Sequence, residues 1–154
     1  MKTKILMVCL GNICRSPLAE GILKSKLDSK KYIIESCGTS NFHIGNKPDK
    51  RSIEVAKKYN IDITQQRAAQ FKQSDFKTYD YIYVMDNSNY NNIKKLAKSP
   101  QDEQKVKHIL NELYPNKNLD VPDPYYGGEQ GFEEVFQILD KACDNIALKL
   151  KKTE

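Results

Sequence analysis

The sequence contains no apolar run long enough to cross a membrane. Its longest apolar segment, residues 5–10, has the length of a strand, whereas a membrane-spanning helix needs about 18 residues. The N-terminus also lacks the apolar stretch and small-residue cleavage site of a signal peptide. These absences predict a cytoplasmic protein with no membrane partner.

Cysteine and histidine are too sparse for a disulfide framework or a zinc site. The 154 residues include four cysteines and two isolated histidines, namely Cys9, Cys14, Cys37, Cys143, His43 and His108. The first two cysteines do not have the CxxC spacing of zinc ligands. We therefore expect no metal and no cofactor, and we expect Cys37 and Cys143 to be core residues.

Arginine is rare as well, since only three of the 25 basic residues are arginines. The net charge of +5 comes from lysines spread along the chain, which favours anionic partners mildly. The lysines are not clustered in a nucleic-acid-binding motif, so no nucleic-acid partner is expected.

With 39% hydrophobic and 29% charged residues, the composition is that of a soluble globular protein. Its length fits one domain, residues 1–154.

Strand-like segments alternate with helical patterns along the chain. The strands are predicted at residues 4–9, 32–37, 79–86 and 106–110. This alternation predicts an α/β fold, a single-domain three-layer α/β/α architecture. Helices are expected on both faces of a parallel sheet, and the expected order of its four strands is 2-1-3-4. Because ligands bind beyond the carboxyl ends of such strands, the loop at residues 9–16 is the expected site.

Four helices are predicted between and after the strands. Ser16-Pro17 marks the start of the first helix, Asp49 caps the second, and Ser88 or Asn89 caps the third. The last helix has a single apolar stripe, formed by Phe132, Val135, Phe136, Leu139, Ala142, Cys143, Ile146 and Leu150.

The loop after the first strand has a Cys-x5-Arg pattern, Cys9-Leu10-Gly11-Asn12-Ile13-Cys14-Arg15, followed by Ser16-Pro17. A loop of this length that closes onto a helix N-terminus can point several N–H groups at one phosphate. Arg15 adds a planar fork that binds two oxygens. The same N–H groups and the helix dipole favour the thiolate form of Cys9, which makes it a candidate nucleophile. Ser16 is placed to donate a hydrogen bond to that thiolate.

An acid is also required, because an aryl or alkyl oxygen leaves poorly as an anion. The candidate is Asp123, in Val121-Pro122-Asp123-Pro124-Tyr125-Tyr126-Gly127-Gly128. Its flanking prolines stiffen the backbone, and a positioned carboxylic acid is typically worth ~10²–10⁴-fold in rate. Such a segment alone is more often a plain turn, so this prediction depends on its pairing with the cysteine loop.

These two motifs together resemble the low-molecular-weight protein tyrosine phosphatase family, and the resemblance covers nearly the whole chain. It implies hydrolysis of phosphotyrosine and small aryl phosphate monoesters through a cysteinyl-phosphate intermediate. Cys9 would be the nucleophile, Arg15 the phosphate and transition-state binder, and Asp123 the general acid and then base. The implied partners are tyrosine-phosphorylated proteins, with phosphate or other oxyanions as product or inhibitor. A monomer is expected, with a weak dimer as the alternative.

The resemblance also implies supporting roles. Ser16 would assist the thiolate, Asn12 would hold the strained loop backbone, and Ser36 would be hydrogen-bonded to Asn12. Asp86 resembles a family carboxylate near the site. The slot for the substrate ring would be lined by Phe42, Tyr125, Tyr126, Leu10 and Ile13.

One position departs from the family pattern His-Arg-Ala-Arg-Gln. Here the matching residues read Gln66-Arg67-Ala68-Ala69-Gln70. The family histidine supports the asparagine network, so Gln66 either replaces its hydrogen bond or leaves the loop softer.

Several interpretations stay open. Cys14 is either a redox partner that pairs reversibly with Cys9 or a small buried packing residue. A thiol-coupled arsenate reductase would share the fold and the cysteine loop, but it would need a further cysteine pair, and residues 79–100 contain none. A non-catalytic phosphate- or phosphotyrosine-binding module is the other alternative, and the presence of both Cys9 and Asp123 argues against it.

Overall fold

Strands and helices alternate in the computed structural model, which describes residues 1–154 apart from the side chain of Tyr126. The strands are β1 (Thr3–Cys9), β2 (Tyr32–Gly38), β3 (Tyr81–Val84) and β4 (Val106–His108). All neighbouring strands pair in parallel, in the order β2-β1-β3-β4. The predicted sheet and its strand order are therefore confirmed.

The helices connect and cover these strands. They are α1 (Arg15–Lys26), α2 (Lys50–Lys58), α3 (Asp75–Thr78), α4 (Asn87–Lys94), α5 (Pro100–Gln104) and α6 (Gly128–Lys152), with 3₁₀ turns at Ile109–Glu112 and Pro124–Tyr126. Among the residues that the structure describes, no helix is both long and apolar enough to span a membrane.

The central strand, β1, contributes to a core on each face of the sheet. Because successive strand side chains point to opposite faces, Ile5, Met7 and Cys9 lie in one core, and Leu6 and Val8 lie in the other. Helices α1, α2 and α6 cover the first core, whereas α3 and α4 cover the second. The three-layer architecture is therefore confirmed.

The apolar stripe of α6 is buried along its whole length, as predicted. This helix packs mainly against α1 and also against α2. Asp49 is the N-cap of α2, as predicted, and its carboxylate accepts a hydrogen bond from Arg51 N at 2.8 Å. Helix α1 begins at Arg15, one residue before the predicted Ser16-Pro17 start.

The N-cap of α4 is Asp86, so the prediction of Ser88 or Asn89 was wrong. The Asp86 carboxylate accepts from Asn89 N at 2.8 Å, and the Asn89 side chain accepts from Asp86 N at 3.2 Å. This reciprocal pair is a capping box. Strand β3 is Tyr81–Val84, shorter at both ends than the predicted residues 79–86. Strand β4 also ends early, at His108, because a 3₁₀ turn follows at once.

Candidate active site

The loop that joins β1 to α1, residues 9–15, encloses a buried sulfur. Cys9 is 2% exposed, and its Sγ lies 3.0 Å from Ser16 Oγ. The backbone N–H of Asn12 donates to the same sulfur at 3.3 Å. The backbone N–H of Asn12, the hydroxyl of Ser16 and the N-terminus of α1 thus lie around Cys9 Sγ. We call residues 9–15 the cysteine loop.

The carbonyl groups of the cysteine loop are held by groups outside it. Cys9 O accepts from Thr39 N at 2.9 Å, Leu10 O from Ser40 N at 2.9 Å, Ile13 O from Asp49 N at 2.7 Å, and Cys14 O from Ser52 Oγ at 3.2 Å. In a trans peptide the N–H points opposite to the C=O. The N–H groups that follow these carbonyls are therefore turned toward the inside of the loop, where an anion would bind.

Asn12 holds the loop in a left-handed turn. Its φ is 57°, a conformation that costs a non-glycine residue roughly 1–2 kcal/mol. Its side-chain amide donates to Ser16 Oγ at 2.8 Å and to Ser36 Oγ at 3.0 Å, and its oxygen accepts from Ala69 N at 3.0 Å. These three bonds offset the strain and fix Ser16 beside the sulfur.

The hydrogen-bond network continues behind the loop to a buried carboxylate. Ser36 Oγ donates to Glu20 Oε1 at 2.6 Å, and Lys24 Nζ binds Glu20 Oε2 at 2.6 Å. Gln66 takes no part in the bonds of Asn12, since its Nε2 donates to Pro17 O at 3.1 Å. Its Oε1 is buried and accepts no hydrogen bond from the described residues.

Gly38, at the end of β2, packs directly against the cysteine loop. A Cβ at this position would lie 2.7 Å from Leu10 O and 3.0 Å from Asn12 N. Both of these are backbone atoms that cannot swing away, so the loop needs glycine here.

Arg15 is buried beneath the loop with one nitrogen anchored. Its side-chain Nη1 donates to Asp86 Oδ2 at 2.7 Å and to Val121 O at 2.9 Å, and the residue is 3% exposed. Among the described residues both of these bonds use Nη1, so Nε and Nη2 remain to bind an anion. Burial opposes the charge, but Cys9 and the bonded Asp86 outweigh it and raise the pKa of Arg15.

Asp123 lies on a short segment with anchored ends, which we call the Asp123 segment (residues 121–126). Val121 N donates to Met85 O at 2.7 Å, and Val121 O accepts from Arg15. The Asp123 side chain is exposed to the cavity mouth and accepts from Tyr125 N at 3.0 Å, which caps the 3₁₀ turn at Pro124–Tyr126.

A cavity of about 240 Å³ brings these elements together. It is lined by Cys9, Leu10, Gly11, Ile13, Cys14, Arg15, His43, Asp123 and Tyr125. The three predicted catalytic residues therefore share one cavity, although Asp123 lies far from the cysteine loop in sequence. Among the residues whose side chains are described, no group of three or more His, Cys, Asp and Glu could hold a metal ion.

Of the residues predicted to line the substrate slot, some line the cavity and one does not. Leu10, Ile13 and Tyr125 line the cavity, whereas Phe42 is 84% exposed and stands outside the lining. Its neighbour His43 lines the cavity instead, over Gly11, where a Cβ would come 2.9 Å from His43 Cδ2. The side chain of Tyr126, the remaining predicted wall, lies outside the described residues.

The four cysteines are free thiols. Cys37 and Cys143 are buried in the two cores, as predicted. Cys14 is buried beside the cavity, where burial and then the nearby Asp49 and Cys9 raise its pKa to about 12. It is therefore a neutral thiol at physiological pH, and this fits either interpretation of its role.

Sequence comparison matches nearly the entire chain to one enzyme family. The family model described as low molecular weight phosphotyrosine protein phosphatase matches residues 4–154. The chain is 42% identical over 144 residues to the low molecular weight phosphotyrosine protein phosphatase of Schizosaccharomyces pombe, an alignment that covers 89% of this chain and 90% of that one.

Solved structures give the same result. A protein tyrosine phosphatase from Entamoeba histolytica with Hepes in its active site has a TM-score of 0.91 and 40% identity, with 99% of each chain covered. Wzb of Vibrio vulnificus, in complex with benzylphosphonate, has a TM-score of 0.86 and 30% identity, with 97% of this chain and 99% of that chain covered.

Proposed function

Because the chain belongs to the low molecular weight phosphotyrosine protein phosphatase family, we propose that Cys9, Arg15 and Asp123 carry out its hydrolysis of phosphotyrosine. The enzyme is a phosphoric monoester hydrolase, as the family is. The observation that best supports these roles is the convergence of the three side chains on one cavity.

In the first step the Cys9 thiolate attacks phosphorus and the bond from phosphorus to the tyrosyl oxygen breaks. Asp123 gives its proton to that departing oxygen. Nε and Nη2 of Arg15 and the inward N–H groups of the cysteine loop hold the other phosphate oxygens. The product of this step is a cysteinyl-phosphate.

In the second step water replaces the sulfur. The Asp123 carboxylate takes a proton from the water, whose oxygen attacks phosphorus as the phosphorus–sulfur bond breaks. The Cys9 thiolate leaves, stabilised by Ser16 and by the backbone N–H of Asn12. Catalysis is then mostly positioning and charge stabilisation of a loose phosphoryl transition state.

The expected substrates are tyrosine-phosphorylated proteins, and phosphate and other oxyanions are the expected product and inhibitors. Bound benzylphosphonate and sulphate in two solved Wzb structures support the second expectation. We further propose that residues 1–154 act as one phosphatase domain, in the cytoplasm and as a monomer.

Turnover of para-nitrophenyl phosphate and of a phosphotyrosine peptide, with EDTA present, tests these roles. We expect Cys9→Ser to abolish turnover of both substrates. We expect Asp123→Asn to lower kcat for the phosphotyrosine peptide by ~10²-fold or more while it leaves vanadate inhibition nearly unchanged. EDTA-resistant activity in Cys9→Ser would exclude Cys9 as nucleophile. Equal losses of kcat and vanadate affinity in Asp123→Asn would place the acid elsewhere.

Assays of arsenate reduction and of phosphate binding, run beside this one, separate the two alternatives. An arsenate reductase would reduce arsenate with a thiol donor and hydrolyse aryl phosphates poorly. A binding module would hold phosphate or a phosphotyrosine peptide without any turnover. Either result in the wild-type protein would overturn the proposed roles.

A further inference from the structure

The first turn of α2 is bonded to both halves of the active site. On one side Asp49 N donates to Ile13 O at 2.7 Å, in the cysteine loop. On the other side Arg51 Nη1 donates to Tyr125 O at 3.0 Å, in the Asp123 segment. One helical turn therefore bridges the proposed nucleophile and the proposed acid.

Arg51 is itself held in place by a two-point ion pair. Its Nε donates to Asp49 Oδ1 at 3.1 Å and its Nη2 donates to Asp49 Oδ2 at 3.0 Å. Such parallel bonds fix the plane of a guanidinium as well as its position. The Asp49 carboxylate is fixed in turn, because it also caps α2. Partial burial acts against the carboxylate charge, but the bonds from Arg51 outweigh it and lower the pKa of Asp49.

Two aromatic rings flank the same guanidinium. Its central carbon lies 5.2 Å from the centre of the Tyr125 ring and 4.5 Å from the centre of the Phe132 ring. Phe132 is a buried residue of α6. Arg51 therefore fastens the Asp123 segment to both α2 and α6.

The contact reaches Asp123 through a single residue. Arg51 binds the carbonyl of Tyr125, and the N–H of Tyr125 binds Asp123 Oδ1 at 3.0 Å. A shift of Tyr125 would therefore move the carboxylate relative to the cysteine loop.

We propose that Arg51, oriented by Asp49, is a positioning residue that places Asp123 for proton transfer. This inference depends on the proposed role of Asp123 as the general acid. Arg51 does not line the cavity, so it acts through the Asp123 segment and not on the phosphate.

The consequence to measure is the dependence of kcat/KM on the leaving group. A misplaced acid matters little when the departing phenol is acidic, as with para-nitrophenyl phosphate. It matters greatly for phenyl phosphate, whose leaving group has a pKa of about 10, like tyrosine. A damaged cysteine loop, in contrast, would slow all substrates alike.

The experiment measures kcat/KM for a series of aryl phosphates with the wild type, Arg51→Gln, Asp123→Asn and the double variant. We expect Arg51→Gln to lose about tenfold with phenyl phosphate, part of the ~10²–10⁴-fold that a positioned acid supplies. We expect a much smaller loss with para-nitrophenyl phosphate and unchanged vanadate inhibition. In the Asp123→Asn background the second substitution should add nothing to the leaving-group dependence.

The matched control is Arg67→Gln, at an exposed arginine whose side chain donates to two nearby backbone carbonyls, those of Thr64 and Gln66. It should leave the leaving-group dependence unchanged. Arg51→Lys keeps a positive charge but cannot make both bonds to Asp49. It should show the same dependence as Arg51→Gln in milder form, and it replaces that variant if glutamine prevents folding.

A uniform loss across the series, additive losses in the double variant, or weaker vanadate inhibition in Arg51→Gln would overturn this inference alone. Failure of the proposed function has a different signature. In that case the wild type shows no turnover, or Asp123→Asn keeps the wild-type leaving-group dependence.

Discussion

The guanidinium of Arg15 donates to one carboxylate oxygen of Asp86 at 2.7 Å, and the other oxygen caps helix α4 by accepting from Asn89 N at 2.8 Å. One side chain thus anchors the proposed phosphate-binding arginine and begins a helix. The pair is largely buried, with exposures of 4% for Arg15 and 17% for Asp86.

Asp86→Asn should destabilise the protein through the loss of charge opposite Arg15. Asparagine retains the cap, but the buried guanidinium loses its counter-charge, which costs about 3 kcal/mol at the low end for a broken buried pair. Urea unfolding measures this loss. The control is Asp120→Asn, at an exposed carboxylate that accepts from the backbone and the side chain of Asn87. Equal losses in the two variants would mean that the Arg15 pair adds no stability.

Substitution of Asn12 separates backbone strain from the side-chain network. Asn12→Gly and Asn12→Ala both remove three hydrogen bonds, each worth about 1 kcal/mol. Alanine is also strained at a φ of 57°, whereas glycine is not. The alanine variant should therefore be about 1 kcal/mol less stable than the glycine variant in urea unfolding. Equal stability would show that the loop relaxes to another conformation. Both variants should lower kcat, because Ser16 loses its fixed position.

His108 should make stability depend on pH. It is buried, its Nε2 lies 2.9 Å from Asn87 Oδ1, and burial lowers its pKa despite nearby Asp120 and Asp86. Its neutral form is therefore favoured in the folded state. The contribution of His108 to the free energy of unfolding is fully present above the unfolded pKa of about 6.5. It is lost as the pH falls below that value, because the unfolded state takes up the proton first.

The measurement for His108 is urea unfolding of the wild type and His108→Gln between about pH 8 and about pH 5, on either side of that unfolded pKa. Glutamine keeps a donor for Asn87 but does not titrate. The wild type should lose stability relative to His108→Gln as the pH falls. Parallel curves would show that His108 is protonated equally well in both states.

Cys14 should resist alkylation at neutral pH, because desolvation and the nearby Asp49 raise its pKa to about 12. Mass spectrometry after iodoacetamide treatment should therefore find Cys9 modified and Cys14 intact. Modification of Cys14 at a comparable rate would show that it is exposed as thiolate.

The redox interpretation of Cys14 makes a separate prediction. Peroxide converts the Cys9 thiolate to a sulfenic acid, which condenses with the Cys14 thiol to a disulfide and releases water. Reductant should then restore activity in the wild type and fail to do so in Cys14→Ser. Full recovery of Cys14→Ser would favour the packing interpretation.

The parts of the fold around the candidate site that sequence analysis predicted correctly are local. The strand, loop and helix around Cys9 and Arg15 follow from one short motif, and the prolines beside Asp123 indicate a stiff segment. The parallel sheet follows from the alternation of strands and helices. These features depend on neighbours in sequence, so a single chain suffices to predict them.

The errors arise where contacts between residues far apart in sequence determine the structure. Asp86 caps α4 while its carboxylate also binds Arg15, and no local pattern contains that pairing. His43 lines the cavity and Phe42 stands outside its lining, and the loop after β2 has no hydrophobic period from which this could be predicted. The signal for His43 was only its scarcity, as one of two histidines in the chain.

The carbonyl of Val121 accepts a hydrogen bond from Arg15 only two residues before Asp123. The proposed anion-binding arginine and the proposed acid are thus connected through the backbone of one short segment. Anyone repurposing this scaffold for other esters should vary the rim positions Leu10 and His43. An insertion between Val121 and Asp123 would disturb both tasks at once.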